Sequence, residues 1–301
     1  MSTPAPPAFD LGAWSSERLA RVDQALSQWV VADAPAGLGE AMRYAVLDGG
    51  KRLRPLLVLA ASEAVGGHDD AALRAACAVE LIHAYSLVHD DMPCMDDDVL
   101  RRGKPTVHVK FGQAQALLAG DALQALAFEL LVPGGSDIPD RVQASLCRLL
   151  ANAAGHAGMA GGQAIDLASV GLALDEQRLR EMHRRKTGAL LEGSVMMGAA
   201  CGTLGESASR SLQAYGSAVG LAFQVVDDIL DVTADSATLG KTAGKDAHQN
   251  KPTYVSVLGL ERSRAYAGEL LEEALRALAA SRLSDTRALR ALAVMVVDRD
   301  N

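Results

Sequence analysis

Leu73-Arg74-Ala75-Ala76-Cys77-Ala78-Val79-Glu80-Leu81-Ile82-His83-Ala84-Tyr85-Ser86-Leu87-Val88-His89-Asp90-Asp91 places apolar residues at Leu73, Cys77, Leu81, Ala84 and Val88. That three-and-four spacing predicts one long α-helix. The run leads into Met92-Pro93-Cys94-Met95-Asp96-Asp97-Asp98, where Pro93 is expected to end the helix and re-aim Asp96 toward the cleft that Asp90 faces. Outward from this segment the pattern repeats: Ala/Leu/Arg/Glu-rich stretches such as 261–282 read as helix, and alternating strand patterns are scarce. Helices joined by Gly, Pro and Asp turns predict an all-α antiparallel bundle. With 301 residues, 49% of them hydrophobic, the chain can bury a large core, and no change in composition marks a boundary. Residues 9–301 therefore read as one domain. The Pro-rich start, 1–8, reads as a disordered arm without the basic start and apolar core of a signal peptide.

A second acidic cluster, Asp227-Asp228-Ile229-Leu230-Asp231, follows the apolar approach Leu221-Ala222-Phe223-Gln224-Val225-Val226. On a helix, Asp227 and Asp231 share a face about 5–6 Å apart and repel unless a cation lies between them. Carboxylates without Cys or a second His suit a hard ion such as Mg2+, which leaves positions open for water and phosphate. Cations beside glycines answer these acids: Gly49-Gly50-Lys51-Arg52-Leu53-Arg54-Pro55, Arg101-Arg102-Gly103-Lys104-Pro105, Lys186-Thr187-Gly188 and Leu239-Gly240-Lys241. In a chain of formal charge −8, such clusters indicate local phosphate sites and exclude a general nucleic-acid surface. Cys77, Cys94, Cys147 and Cys201 are widely spaced and expected to be reduced and buried. No uncharged run reaches the roughly 20 residues of a membrane span, so a cytoplasmic protein is expected.

Five motifs together carry a resemblance: Gly-Gly-Lys-Arg-Leu-Arg-Pro from Gly49, Leu81 through Asp91, Gly161-Gly162-Gln163-Ala164-Ile165-Asp166-Leu167, Lys186-Thr187-Gly188 and Phe223 through Asp228. In this order, from about residue 40 to about residue 255, they resemble the bacterial short-chain trans-isoprenyl diphosphate synthases, farnesyl diphosphate synthase most closely. The resemblance implies helices around a deep cavity, a homodimer, and condensation of isopentenyl diphosphate with an allylic diphosphate. It assigns Mg2+, with Mn2+ as a substitute, to Asp90, Asp96 and Asp227, with Asp91, Asp228 and Asp231 completing the set. Isopentenyl diphosphate falls to Lys51, Arg54, His83 and Arg102, and the allylic diphosphate to Arg101, Lys186 and Lys241. Lys186, Thr187, Phe223 and Gln224 are implied to line the allylic cation, with the departing diphosphate as the final base.

His83 and Asp90, seven residues apart, lie on nearly one helix face about 10 Å apart along the axis, so that face can touch two phosphates. Gln163 and Asp166, at i and i+3, are placed to orient neighbouring groups. Tyr85, with Ser86 beside it, stands where the family sets the floor of the product channel. A Tyr floor implies a farnesyl product, with geranylgeranyl as the alternative. The polar, Gly- and Lys-rich stretch 233–253 reads as a lid. Two departures are visible: Val99 replaces a further Asp, and the end, Asp298-Arg299-Asp300-Asn301, lacks the Lys that often accompanies the terminal Arg. Three rivals are weaker. A terpene cyclase normally lacks the second Asp-Asp-x-x-Asp and lines its pocket with aromatics, which are 4% here. A di-iron bundle needs a partner for Glu80-Leu81-Ile82-His83 that is not found. A non-catalytic binding subunit is expected to have lost an acidic motif or Lys186.

Overall fold

A computed structural model describes residues 9–172, 174–233 and 252–299. The predicted arm 1–8, Lys241 and most of the expected lid lie outside the described residues. The described chain is helical: α1 (Leu11–Trp29), α2 (Leu38–Val46), α3 (Leu53–Ala64), α4 (Asp69–Asp90), α5 (Val107–Phe111), α6 (Gln113–Leu131), α7 (Asp140–Ala154), α8 (Met159–Ala168), α9 (Glu176–His183), α10 (Ala189–Ala200), α11 (Glu206–Thr233), α12 (Tyr254–Leu258), α13 (Leu260–Ser281) and α14 (Arg287–Val297). A single π-helical turn, Arg184–Gly188, joins α9 to α10.

The predicted helix over 73–91 is α4, starting slightly earlier and ending at Asp90. His68 caps its N-terminus by accepting the Ala71 N–H, and Asp69 and Asp70 sit in its first turn, where acidic side chains complement the helix dipole. Its far end stops before Pro93, as expected, and residues 91–98 fold back through Asp96 N–H to Asp90 C=O (2.8 Å) and Asp98 N–H to Asp91 C=O (3.1 Å). Alanines at 71, 72, 75, 76, 78 and 84 are all buried and let α3, α6 and α10 approach α4 from different sides.

Two hydrophobic clusters form the core. One joins α2, α4, α6 and α7; the other joins α3, α10, α11, α13 and α14. Helices α4 and α6 are long and apolar enough to cross a membrane, but most of α4 is buried inside the protein. The only strands among the described residues are Leu100–Arg101 and Lys104–Pro105, an antiparallel hairpin. Its turn residues Arg102 and Gly103 both have positive φ (52° and 74°), the twist that a tight two-residue hairpin requires. Of the cysteines, Cys77 and Cys201 are buried as expected, whereas Cys147 is half-buried and Cys94 exposed on the 91–98 turn; all four are free.

Candidate active site

The fold builds the two acidic clusters in different ways. On one side, Asp90 closes α4, and the turn after Pro93 lays Asp96 back over it. Burial, reinforced by the neighbouring charges of Asp96 and Asp91 and opposed by Lys186 and Arg101, pushes the Asp90 carboxyl up to about 6. On the other side, Asp227, Asp228 and Asp231 lie within the unbroken α11, which keeps Asp227 and Asp231 on one face.

The second aspartate of each cluster is buried and hydrogen-bonded. Asp91 is buried and accepts three hydrogen bonds from Arg101: Nε to both carboxylate oxygens at 2.9 Å and Nη2 to Oδ1 at 2.6 Å. Asp228 is buried, accepting the Gln224 amide N–H on Oδ1 (2.8 Å) and the Tyr254 backbone N–H on Oδ2 (2.7 Å). The reason is solvation: a carboxylate facing the protein interior needs donors there, and both find them. Among the described residues no group of three acidic, His or Cys side chains converges tightly enough to hold an ion alone.

The basic motif after Gly49 divides by role. Arg52 is buried and spends itself on structure, donating to Glu80 (2.7 Å) and to Val46 C=O (2.6 Å). That ion pair also occupies the Glu of the di-iron reading. Arg54 instead lines a cavity beside His83 and Asp90, and Lys51 is exposed. Burial, followed by the Arg299 charge, lowers the Lys51 pKa against the pull of Asp227. Burial likewise lowers that of Arg54, opposed by Glu80 and Asp227, and its Nε has no partner among the described residues. His83 is held well below its ordinary pKa by burial and then by Arg54, Arg102 and Arg101, so it is neutral at pH 7. Arg102 donates to Gly49 C=O at 2.5 Å. Cations whose charge burial penalises favour an anion beside them, as the raised Asp90 favours a cation.

Beneath Arg54, His83 and Asp90 an open cavity of about 990 Å³ runs into the bundle, lined by Tyr85, Ser86, Met95, Met159, Ala164 and Leu167. Tyr85 is buried in this wall, its ring edge-on to His89 at 5.7 Å, and Ser86 donates to His83 C=O. A smaller cavity of about 550 Å³ opens on the other side of His83, against Gly49, Arg101 and Arg102.

The π-helical turn presents Lys186 and Thr187 to the large cavity. Two glycines allow neighbouring helices to press on this turn: a Cβ on Gly162 of α8 would collide with the Lys186 backbone, and one on Gly220 of α11 would lie 2.9 Å from Gly188 Cα. Lys186, expected to meet an allylic diphosphate, is paired here with buried Asp166, which thereby acquires the orienting role foreseen for it. Gln163 is different: both its amide atoms are buried without a partner among the described residues, in the cavity wall. Thr187 donates to Gln224 Oε1 at 2.8 Å.

Sequence reasoning left Arg299 without a role. Its guanidinium lies 4.0 Å over the Phe223 ring, donates to Phe223 C=O (2.8 Å) and reaches Asp227 at 3.4 Å. An arginine alone in an acidic tail was the available signal. Tyr254 and His183, which pack beside Asp228, carried none.

A model of the polyprenyl synthetase family matches residues 35–292. The chain is 48% identical over 289 residues to the farnesyl diphosphate synthase of Escherichia coli, covering 93% of this chain and 96% of that one. It is 47% identical over 299 residues to geranylgeranyl pyrophosphate synthase 11, chloroplastic, of Arabidopsis thaliana, covering 98% and 84%. Its fold matches the crystal structure of geranyltransferase from Helicobacter pylori, complexed with magnesium and isoprenyl diphosphate, with a TM-score of 0.84 and 34% identity over 98% of each chain.

Proposed function

The chain belongs to the polyprenyl synthetase family of prenyltransferases, and on that premise we propose that it is a cytoplasmic farnesyl diphosphate synthase, joining isopentenyl diphosphate head-to-tail to dimethylallyl and then geranyl diphosphate. The observation that carries this reading is the cavity whose mouth holds Arg54, His83, Asp90 and Lys186 and whose wall holds Tyr85. Charged groups meet diphosphate at the rim, and an apolar tail extends below.

Asp90, Asp96 and Asp227 would hold Mg2+, whose charge would offset that of the leaving diphosphate. Arg101 and Lys186, already paired with Asp91 and Asp166, bring further positive charge to the allylic diphosphate as its carbon–oxygen bond breaks. Lys51, Arg54, His83 and Arg102 orient isopentenyl diphosphate. The broken bond's electron pair leaves with diphosphate, the isopentenyl double bond attacks the allylic carbon, and a proton is lost to the departed diphosphate. Thr187 and Gln224 shield the cation from water while the new bond forms. A homodimer belongs to the same reading, with the exposed Leu117 and Leu118 of α6 as the face available to a second copy.

Product length is tested directly. Purified protein incubated with isopentenyl diphosphate, an allylic starter and Mg2+ should give farnesyl diphosphate by mass spectrometry. Tyr85→Ala should extend the product to geranylgeranyl diphosphate or longer, with first-condensation rates within about tenfold, because the tail and the ring compete for one volume. A mutant that still stops at farnesyl places the floor elsewhere, and geranylgeranyl from the unmodified protein overturns the product assignment.

A further inference from the structure

We infer that Asp228 is a positioning residue that sets the direction of the Gln224 amide, turning its oxygen, and not its amino group, toward Thr187, a residue of the cavity wall.

The inference follows from what each group can donate. Asp228 Oδ1 accepts from one end of the Gln224 amide at 2.8 Å. Both carboxylate oxygens act as acceptors, Oδ2 taking the Tyr254 N–H, so the end that Oδ1 meets is the NH2. Oε1 then has to emerge on the opposite side, where the Thr187 hydroxyl donates to it at 2.8 Å. Reversing the amide would press two acceptors together in a buried site and leave an amino group where the oxygen now lies, a costly arrangement at low dielectric.

Asp228 is itself held from a second element. Its Oδ2 accepts the N–H of Tyr254, the first residue of α12, at 2.7 Å. The Tyr254 ring is fully buried and stacked on His183, with centroids 5.4 Å apart and planes at 29°. His183 Nε2 lies 4.0 Å from Oδ2, and burial pushes its pKa down to about 4, so it is neutral at pH 7. The Tyr254 backbone N–H and the Gln224 amide N–H both point at the carboxylate, and the polarity passes from α12 through Asp228 and Gln224 to the π-helical turn.

The consequence rests on the prenyltransfer reading above. An amide oxygen near Thr187 lowers the energy of an allylic cation, whereas an amino group in its place raises it. The Asp-Asp pair of α11 thus divides its work, Asp227 facing the cleft and Asp228 aligning the dipole that the cation meets.

The test is Asp228→Asn in the full-length enzyme with Mg2+. Asn keeps the size and can still accept the Tyr254 N–H, but it presents a donor to Gln224 and permits the reversed amide. The expected result is a fall in kcat of roughly 100-fold with both KM values little changed. Binding of an ammonium analogue of the allylic cation, paired with diphosphate, should weaken roughly tenfold, while a thiolo-diphosphate isostere with an uncharged prenyl group should bind as before. Gln224→Met should lose the same preference for the ammonium analogue, and adding Asp228→Asn to it should cost nothing further. Equal weakening of both analogues, or recovery of the Asp228→Asn enzyme at high Mg2+, overturns the inference and returns Asp228 to a general structural or metal-binding role. An unmodified enzyme that makes no prenyl product, or that binds both analogues equally, overturns the functional reading instead.

Discussion

The two acidic walls carry the same Asp-Asp pair but satisfy its buried member in opposite ways. Asp91, at the end of α4, meets a full positive charge, with Arg101 reaching it from a hairpin. Asp228, inside α11, accepts from two neutral N–H groups, one from its own helix and one from the start of α12. A helix end can be supplied with a long cationic side chain from a loop. The mid-helix site, beside α12 and the π-helical turn, draws donors from an amide side chain and a backbone N–H. The first wall is therefore built on charge pairing and the second on dipole alignment.

The largest expected effect probes what the walls share. Asp90→Ala and Asp227→Ala should each lower kcat/KM by roughly 10³-fold or more, about 4 kcal/mol of transition-state stabilisation, and EDTA should abolish activity until Mg2+ is restored. Steady-state kinetics with both substrates checks this, and activity retained in EDTA would remove the cation from the comparison.

A smaller effect belongs to the second wall alone. His183 has an ordinary pKa of 6.5 but about 4 in the fold, because burial penalises its charged form. The unfolded chain then binds a proton that the folded chain refuses, so stability falls as pH drops from 6.5 toward 4 and is complete above that window. The linked free energy is about 3 kcal/mol. Urea unfolding across that range should show a flatter acid limb for His183→Phe than for the unmodified protein. Parallel curves would show that His183 protonates freely.

The smallest effect separates the partners on the first wall. Arg101→Ala leaves a buried carboxylate without its donor and should cost about 2 kcal/mol of stability. Asp91→Ala leaves an arginine whose side chain is 36% exposed and can turn to water, so it should cost less than about 1 kcal/mol. Denaturant midpoints of the two variants decide it; the reverse order would mean that Asp91 is not the buried dependent.

Much of this arrangement is legible in the chain. The helical period around Leu73–Val88 and the stop before Pro93 both correspond to α4, and the four basic segments flag cations that the fold gathers, apart from Lys241, outside the described residues. The division of labour inside each motif was not legible. Lys51, Arg52 and Arg54 look interchangeable in sequence, yet Arg52 alone points at Glu80. Asp90 and Asp91 are adjacent carboxylates, and so are Asp227 and Asp228.

The sequence by itself determined that this chain is helical, that two carboxylate clusters face cationic segments, and that the set matches one family, because those properties reside in residue type and short-range spacing. Which aspartate of each pair is buried on a partner, and how Arg299 reaches Phe223 and Asp227 from the far end of the chain, were decided only by the tertiary structure. Each depends on a donor contributed from elsewhere in the chain: Arg101 is ten residues from Asp91, Tyr254 is 26 from Asp228, and Arg299 is 72 from Asp227. No local pattern encodes the direction in which such a donor arrives.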